Sequence, residues 1–113
     1  MTEEEELPQR TPDEDPAAAI ERLSGELDGV ARVETGGAVE FRRGGIPFVV
    51  CEGTGYCFRL RAEIAQAGLR TPQTAPSARG DDWIWLDTSV RDEYTLDRTR
   101  AWFELAWRLA GEP

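Results

Sequence analysis

The sequence predicts an α+β fold: an antiparallel sheet of about four to five strands with the N- and C-terminal helices packed on one of its faces. Three observations carry this expectation. Apolar residues recur at helical spacing near the start of the chain and again at its end. Between them lie short segments of alternating apolar and polar residues. Those segments are separated by glycine pairs of the kind that close β-hairpins.

The first helix is expected over residues 16–28. Asp15 supplies an N-cap, Pro16 fits the first helical position, Ile20, Leu23 and Leu27 share one face, and Gly29 stops the run. Residues 32–35 read as a short strand before Gly36-Gly37. Residues 38–43 alternate, with Val39 and Phe41 on one side and Glu40 and Arg42 on the other. Gly44-Gly45 then returns the chain into residues 46–52. Gly53-Thr54-Gly55 reads as a three-residue turn into a strand over residues 56–60. A short helix is expected over residues 61–67, ended by Gly68, and residues 69–80 hold the prolines, threonines and serine of a loop. Trp83-Ile84-Trp85-Leu86 is a strand between aspartates. Thr95 is the expected cap of a closing helix over residues 96–110, with Gly111 beyond it.

The turn lengths imply a register. A two-residue turn at Gly44-Gly45 sets Phe41 opposite Phe48 and Val39 opposite Val50. A three-residue turn at residues 53–55 sets Val50 opposite Phe58 and Phe48 opposite Leu60. All six then line one face, where a slip of one residue would scatter them. The other face carries Glu40, Arg42, Val49, Cys51, Cys57 and Arg59. Trp83 and Trp85 join that polar face if Ile84 and Leu86 join the core.

Composition narrows the function. The chain of 113 residues suits one domain. Residues 1–15 carry seven acids, one arginine and two prolines with little to bury, and read as a disordered acidic tail that is dispensable for folding. Residues 16–113 form the domain, with 15 acids and 12 bases against a formal charge of −9 for the whole chain. That acidity and the lack of a basic stripe argue against nucleic acid. No apolar run approaches the length of a membrane span, and the N-terminus has neither the basic nor the apolar region of a secretory signal, so a cytoplasmic location is expected. There is no histidine, which removes the commonest general base and metal ligand, and no lysine, which removes Schiff-base chemistry. No cofactor or metal site is expected.

Four motifs stand out. Cys51 and Cys57 are not at C-x-x-C spacing, yet the register sets them opposite one another, as a redox pair or as two reduced thiols. Gly53-Thr54-Gly55 lacks the third glycine and the following helix of a dinucleotide fingerprint, and reads as a turn. Asp81, Asp82, Asp87, Asp92 and Glu93 cluster around the last strand, for acid–base work or as solvated strand ends. Arg79-Gly80-Asp81 is read as a chance tripeptide. The remaining feature is the sheet face with Arg42, Arg59, Trp83 and Trp85, where arginine forks and indole rings suit a protein partner or a small acidic or aromatic ligand.

Gly29-Val30, Gly36-Gly37, Ile46-Pro47-Phe48, Phe58-Arg59-Leu60, Trp83-Ile84-Trp85-Leu86 and the stretch from Trp102-Phe103 to Leu109 occur in an order that resembles the small MmcQ/YjbR-like proteins. It is also similar to the actinobacterial domains called luciferase domains. The resemblance implies a compact α+β domain and carries no catalytic residue onto this chain. The leading expectation is a non-enzymatic interaction or accessory domain acting through the arginine–tryptophan face. The alternative is a small-molecule-binding or weakly catalytic domain using carboxylates or Cys51 and Cys57.

Overall fold

The computed structural model describes residues 14–112; the expected tail, apart from Glu14 and Asp15, lies outside the described residues. The elements in order are α1 (Pro16–Glu26), β1 (Val30–Thr35), β2 (Ala38–Arg43), β3 (Ile46–Glu52), β4 (Gly55–Arg59), α2 (Ala62–Gly68), β5 (Thr74–Pro76), β6 (Trp83–Asp87) and α3 (Glu93–Ala110). The six strands form one antiparallel sheet in the order β1-β2-β3-β4-β6-β5.

The sheet therefore has six strands where four to five were expected. The added strand is β5, which runs through the segment read as a loop. Its residues Thr74, Ala75 and Pro76 pair with Leu86, Trp85 and Ile84, and the Asp87 amide donates to the Gln73 carbonyl. Proline is tolerated there because β5 is an edge, with no further ladder needing its missing N–H. The opposite edge is β1. Its Arg32 is held between Glu21 of α1, at 3.1 Å, and Glu34, at 2.9 Å, which puts a charged cluster beside that free edge.

Each hairpin turns on glycine. Gly36 and Gly37 have φ of +57° and +82°, and Gly44 and Gly45 have +59° and +80°, as type I′ turns require at both central positions. The third turn differs from expectation. Glu52 pairs with Gly55, so Gly53-Thr54 is a two-residue turn and Gly55 belongs to β4. A Cβ at Gly55 would lie 2.0 Å from the Leu86 carbonyl oxygen and 2.9 Å from the Trp85 ring. This glycine permits close strand contact, and reading it as a turn residue cost the register one position.

A second correction comes from a β-bulge. Arg42 pairs with Pro47 but Phe41 with Val49, leaving Phe48 as the extra residue of β3. The observed partners are Phe41–Val49, Val49–Phe58 and Val50–Cys57, in place of Phe41–Phe48 and Val50–Phe58. Phe41, Phe48, Phe58 and Leu60 nevertheless all reach the core, together with Val49, Tyr56, Ile84 and Leu86. Val50 is also buried, but on the opposite face.

The helices cover the Phe41 face. Phe103 of α3 meets Phe41 and Phe48 edge-on with ring centroids at 5.6 and 5.4 Å, and Trp102 meets Phe58 at 6.0 Å. Gly68 lets α2 close against Ile84 and Trp102, where a Cβ would fall 2.8 Å from the isoleucine methyl. The expected helix ends shift slightly. α1 stops at Glu26, where Leu27 turns extended to lead into β1. α3 starts at Glu93, capped by the Asp92 carboxylate accepting from the Thr95 amide at 2.7 Å; Thr95, the expected cap, is a buried residue of the helix. Trp107 ties the ends together: its indole N–H donates to the Asp28 carbonyl at 2.8 Å, and Arg43 stacks on its ring at 4.0 Å. Among the described residues no helix is long and apolar enough to cross a membrane.

Glu14 and Asp15, assigned to the tail by composition, are anchored to the domain. Asp15 caps α1 and pairs with Arg91 at 3.1 Å. The Glu14 carboxylate bridges Arg22 of α1 and Arg100 of α3, and the hydrogen bond from Arg22 holds it below the usual carboxylate range. A lowered native pKa contributes stability above the unfolded value of 4.5 and loses it as pH falls through the native one. Glu14→Gln should therefore lower the melting temperature at pH 7, and the gap from wild type should close below about pH 4. Equal melting temperatures at pH 7 would show that the bridge adds nothing. For the core, Phe48→Ala should cost about 3–5 kcal/mol in chemical denaturation; a cost under about 1 kcal/mol would mean that Phe103 does not depend on it.

Candidate functional site

With α1, α2 and α3 on one side, the other sheet face carries no helix. Two rows of side chains cross it. The first runs from Glu40 through Val50, Cys57 and Trp85 to Ala75, each pairing with the next. The second holds Arg42, paired with Pro47, and Arg59, paired with Trp83.

The first row builds a small apolar layer of its own. Val50 and Cys57 are buried, and Trp85 is half-buried beside them. The Trp85 ring passes over Gly55, where no side chain obstructs it, and its indole N–H donates to the Glu52 carbonyl at 2.9 Å. The Cys57 thiol donates to the Glu52 carboxylate at 2.9 Å. Burial, and secondarily that carboxylate, pushes the Cys57 thiol up to about 12, so it stays protonated at neutral pH. Trp85 therefore seals this layer.

The second row is more open. Arg42 is paired with Glu40 at 2.7 Å, and Arg59 with Asp82 at 3.1 Å. Trp83 is half-buried, and the Arg79 guanidinium lies 5.3 Å from its ring centroid. Arg79 is exposed and has no carboxylate partner among the described residues. The four residues singled out from the sequence thus share one face, but in two roles. Arg42 and Arg59 are neutralised locally, and Trp85 is structural. Trp83 with Arg79 forms the exposed aromatic–cationic pair. Arg79 was passed over as part of a chance tripeptide. Arg79 lies four residues before Trp83, and the turns closed by the Gly80 amide on Ser77 and the Trp83 amide on Gly80 bring it to the ring.

Cys51 and Cys57 are not brought together. Cys51 pairs with Tyr56, and Cys57 with Val50, so the one-residue shift sends the two thiols to opposite faces. Both are free. The Gly53-Thr54 turn holds no phosphate-binding geometry, being a hairpin closed by Glu52–Gly55 pairing. The aspartates divide into separate structural roles. Asp92 caps α3, with a pKa lowered by the Thr95 amide, and Asp87 accepts from the Ser89 hydroxyl and amide, which lower its own. A general acid at neutral pH needs the opposite shift. Among the described residues no group of three or more His, Cys, Asp or Glu is arranged to hold a metal ion.

Beside Arg59 the sheet borders an open cleft of about 720 Å³ between β3, the start of α2 and the end of α3. Ile46, Leu109 and Ala110 form its apolar part, and Arg59, Asp82, Arg61 and Glu112 its charged rim. Arg61 pairs with Glu112 at 3.2 Å, so the cationic side of the rim is internally balanced.

Neither the known protein families, nor curated proteins, nor solved structures yield a match to this chain.

The separation of the thiols has a direct test. A disulfide-exchanging aromatic reagent should titrate two thiols per unfolded chain without prior reduction. In the native protein Cys51 should react first, and Cys57 only as slowly as the sheet opens. Rapid reaction at Cys57, identified by mass spectrometry, would contradict its enclosure beneath Trp85.

Proposed function

We propose that this chain is a non-enzymatic interaction domain that holds an extended acidic peptide bearing aromatic side chains against its helix-free sheet face. The observation that carries this reading is Trp83 beside Arg79, an indole with an uncompensated guanidinium 5.3 Å from its centroid. An arginine near a ring keeps its planar donor fork available for a carboxylate, while the half-buried ring offers apolar surface to an aromatic side chain. Arg42 and Arg59 in the same row carry carboxylates of their own, and a peptide carboxylate exchanges with the exposed Arg59–Asp82 pair at little net cost because exposed pairs are weak. The Cys57 thiol on this face is pushed up to about 12 by burial and held protonated, which favours binding over thiol chemistry. A cytoplasmic setting and kinship with YjbR-like domains form part of the proposal; they rest on the sequence.

The test uses two blocked pentapeptides, Glu-Phe-Glu-Phe-Glu and its glutamine counterpart Gln-Phe-Gln-Phe-Gln, titrated into the full chain while the tryptophan indole N–H resonances are followed. The acidic peptide should move the Trp83 resonance saturably and the glutamine peptide should not. Arg79→Glu should weaken binding about fivefold, roughly one exposed charge contact. Equal binding of both peptides, or perturbations confined to Trp102 and Trp107 on the helical side, would defeat the proposal.

A second reading is favoured by the cleft beside Arg59, whose volume falls within the range of small-molecule sites. In the same titrations, a small ligand there would move the methyl resonances of Ile46 and Leu109 and leave Trp83 unchanged.

A further inference from the structure

On the helical side, away from the open face, a charged group is enclosed without a partner for most of its donors. Arg98 projects from α3 and is only 8% exposed. Its Nη1 donates to the Thr71 hydroxyl at 2.5 Å. Its Nε and Nη2 have no hydrogen-bond partner, and neither does the Thr95 hydroxyl one turn earlier on the same helix. Among the described residues no carboxylate is paired with Arg98; Asp92, the nearest by charge, is committed to capping α3. The guanidinium is instead walled by rings, with Tyr94 at 4.3 Å and Trp102 at 5.6 Å.

Ring faces recover part of the cost of burying a cation, but they accept no in-plane hydrogen bonds. A buried arginine normally has most of its donors satisfied, because an unmade bond to a charged group is among the most expensive omissions in a protein. The unsatisfied edge here is also a particular one. Nε–H and Nη2–H lie side by side and point the same way, which is the geometry that grips two oxygens of a carboxylate or phosphate. Thr95 lies three residues before Arg98, so the two residues are neighbours on one face of α3. Thr71 fixes the far nitrogen and so orients the fork. Tyr94, the ring packed against the guanidinium at 4.3 Å, is itself half exposed.

We propose that Arg98, Thr95 and Thr71 form a seat for one oxyanion, a carboxylate or phosphate group, entering beside Tyr94. The anion is held by the Nε and Nη2 donors and by the Thr95 hydroxyl. It supplies a directly hydrogen-bonded counter-charge, where the capping carboxylate of Asp92 acts on Arg98 only at a distance.

The experiment follows arginine Nε–H resonances of the full chain by nitrogen–proton correlation. Sodium phosphate or sodium acetate is added against sodium chloride at constant ionic strength, and the Arg98 signal is assigned by its loss in Arg98→Met. The Arg98 resonance should shift saturably with a half-point on the order of millimolar, while exposed arginines such as Arg70 and Arg91 do not follow it. A stronger response to phosphate identifies a phosphate group as the ligand class, and a stronger response to acetate a carboxylate. Thr95→Val, which removes one unpartnered hydroxyl at nearly constant volume, should weaken the response about two- to tenfold. Arg98→Met should melt no lower than wild type in chloride and lose the rise in melting temperature that the effective anion gives wild type. No response to either anion, or equal responses from all arginines as expected for charge screening alone, would overturn the proposal. An unaltered response in Thr95→Val would overturn it as well. If Arg98→Met fails to fold, the Thr95→Val comparison decides.

Discussion

Phe103 stands edge-on between Phe41 and Phe48, and most of the architecture follows from accommodating that one ring. Phe41 and Phe48 belong to neighbouring strands, and both point at the helix only because β3 carries one residue more than β2 between their shared pairings. The bulge turns Phe48 inward next to Val49, where a regular strand would place one of them on each face. With three aromatic rings meeting at one point, α3 is drawn across the middle of the sheet. α1 packs beside it, and α2 closes the end at Gly68. A single apolar layer on one side of the sheet is the result.

The extra residue also sets what remains on the far side. Past the bulge, Val50 and Cys57 face away from the helices. Trp85 lies over the gap at Gly55, fastened to the Glu52 carbonyl, and Ser77 of the loop after β5 reaches the Cys57 thiol. The same face thus contains a sealed half and an open half. The boundary between them runs between Trp85, whose indole N–H donates to the Glu52 carbonyl, and Trp83, which lies between Arg59 and Arg79.

Much of this was legible in the residues. The glycine pairs at 36–37 and 44–45 announced hairpins, and both have the positive φ that such turns demand. The capping aspartate at 15 and the alternation over residues 38–43 placed α1 and β2. Two features were hidden. Gly55 looks like turn punctuation, yet its role is set by the Leu86 carbonyl some thirty residues later, a contact no local pattern encodes. The bulge is equally silent, since a strand with one residue too many reads like any other apolar run. These two shifts moved the pairing by one position, which kept the large aromatic residues in the core but separated Cys51 from Cys57. β5 escaped notice because edge strands tolerate the prolines and threonines that otherwise signal a loop. Of the candidate surface, its four residues were visible as a set. Arg79 and the buried Arg98 were not: Arg79 meets Trp83 only through the turns of residues 77–83, and Arg98 meets Thr71 from the loop after α2.

The two margins of the sheet carry a consequence for how anything binds here. β5 is three residues long and ends in Pro76, and β1 has Arg32 clasped by Glu21 and Glu34 beside its outer rim. The β5 margin is too short to take a long added strand, and at the β1 margin an incoming strand would meet that charged cluster. Under the proposed role, a chain lying over the sheet, not beside it, would be met by side chains alone. Recognition through rings and guanidinium forks has no sense of chain polarity, as a backbone ladder would. A peptide and its reversed sequence would then be nearly equivalent guests, distinguished only by the spacing of their acidic and aromatic groups.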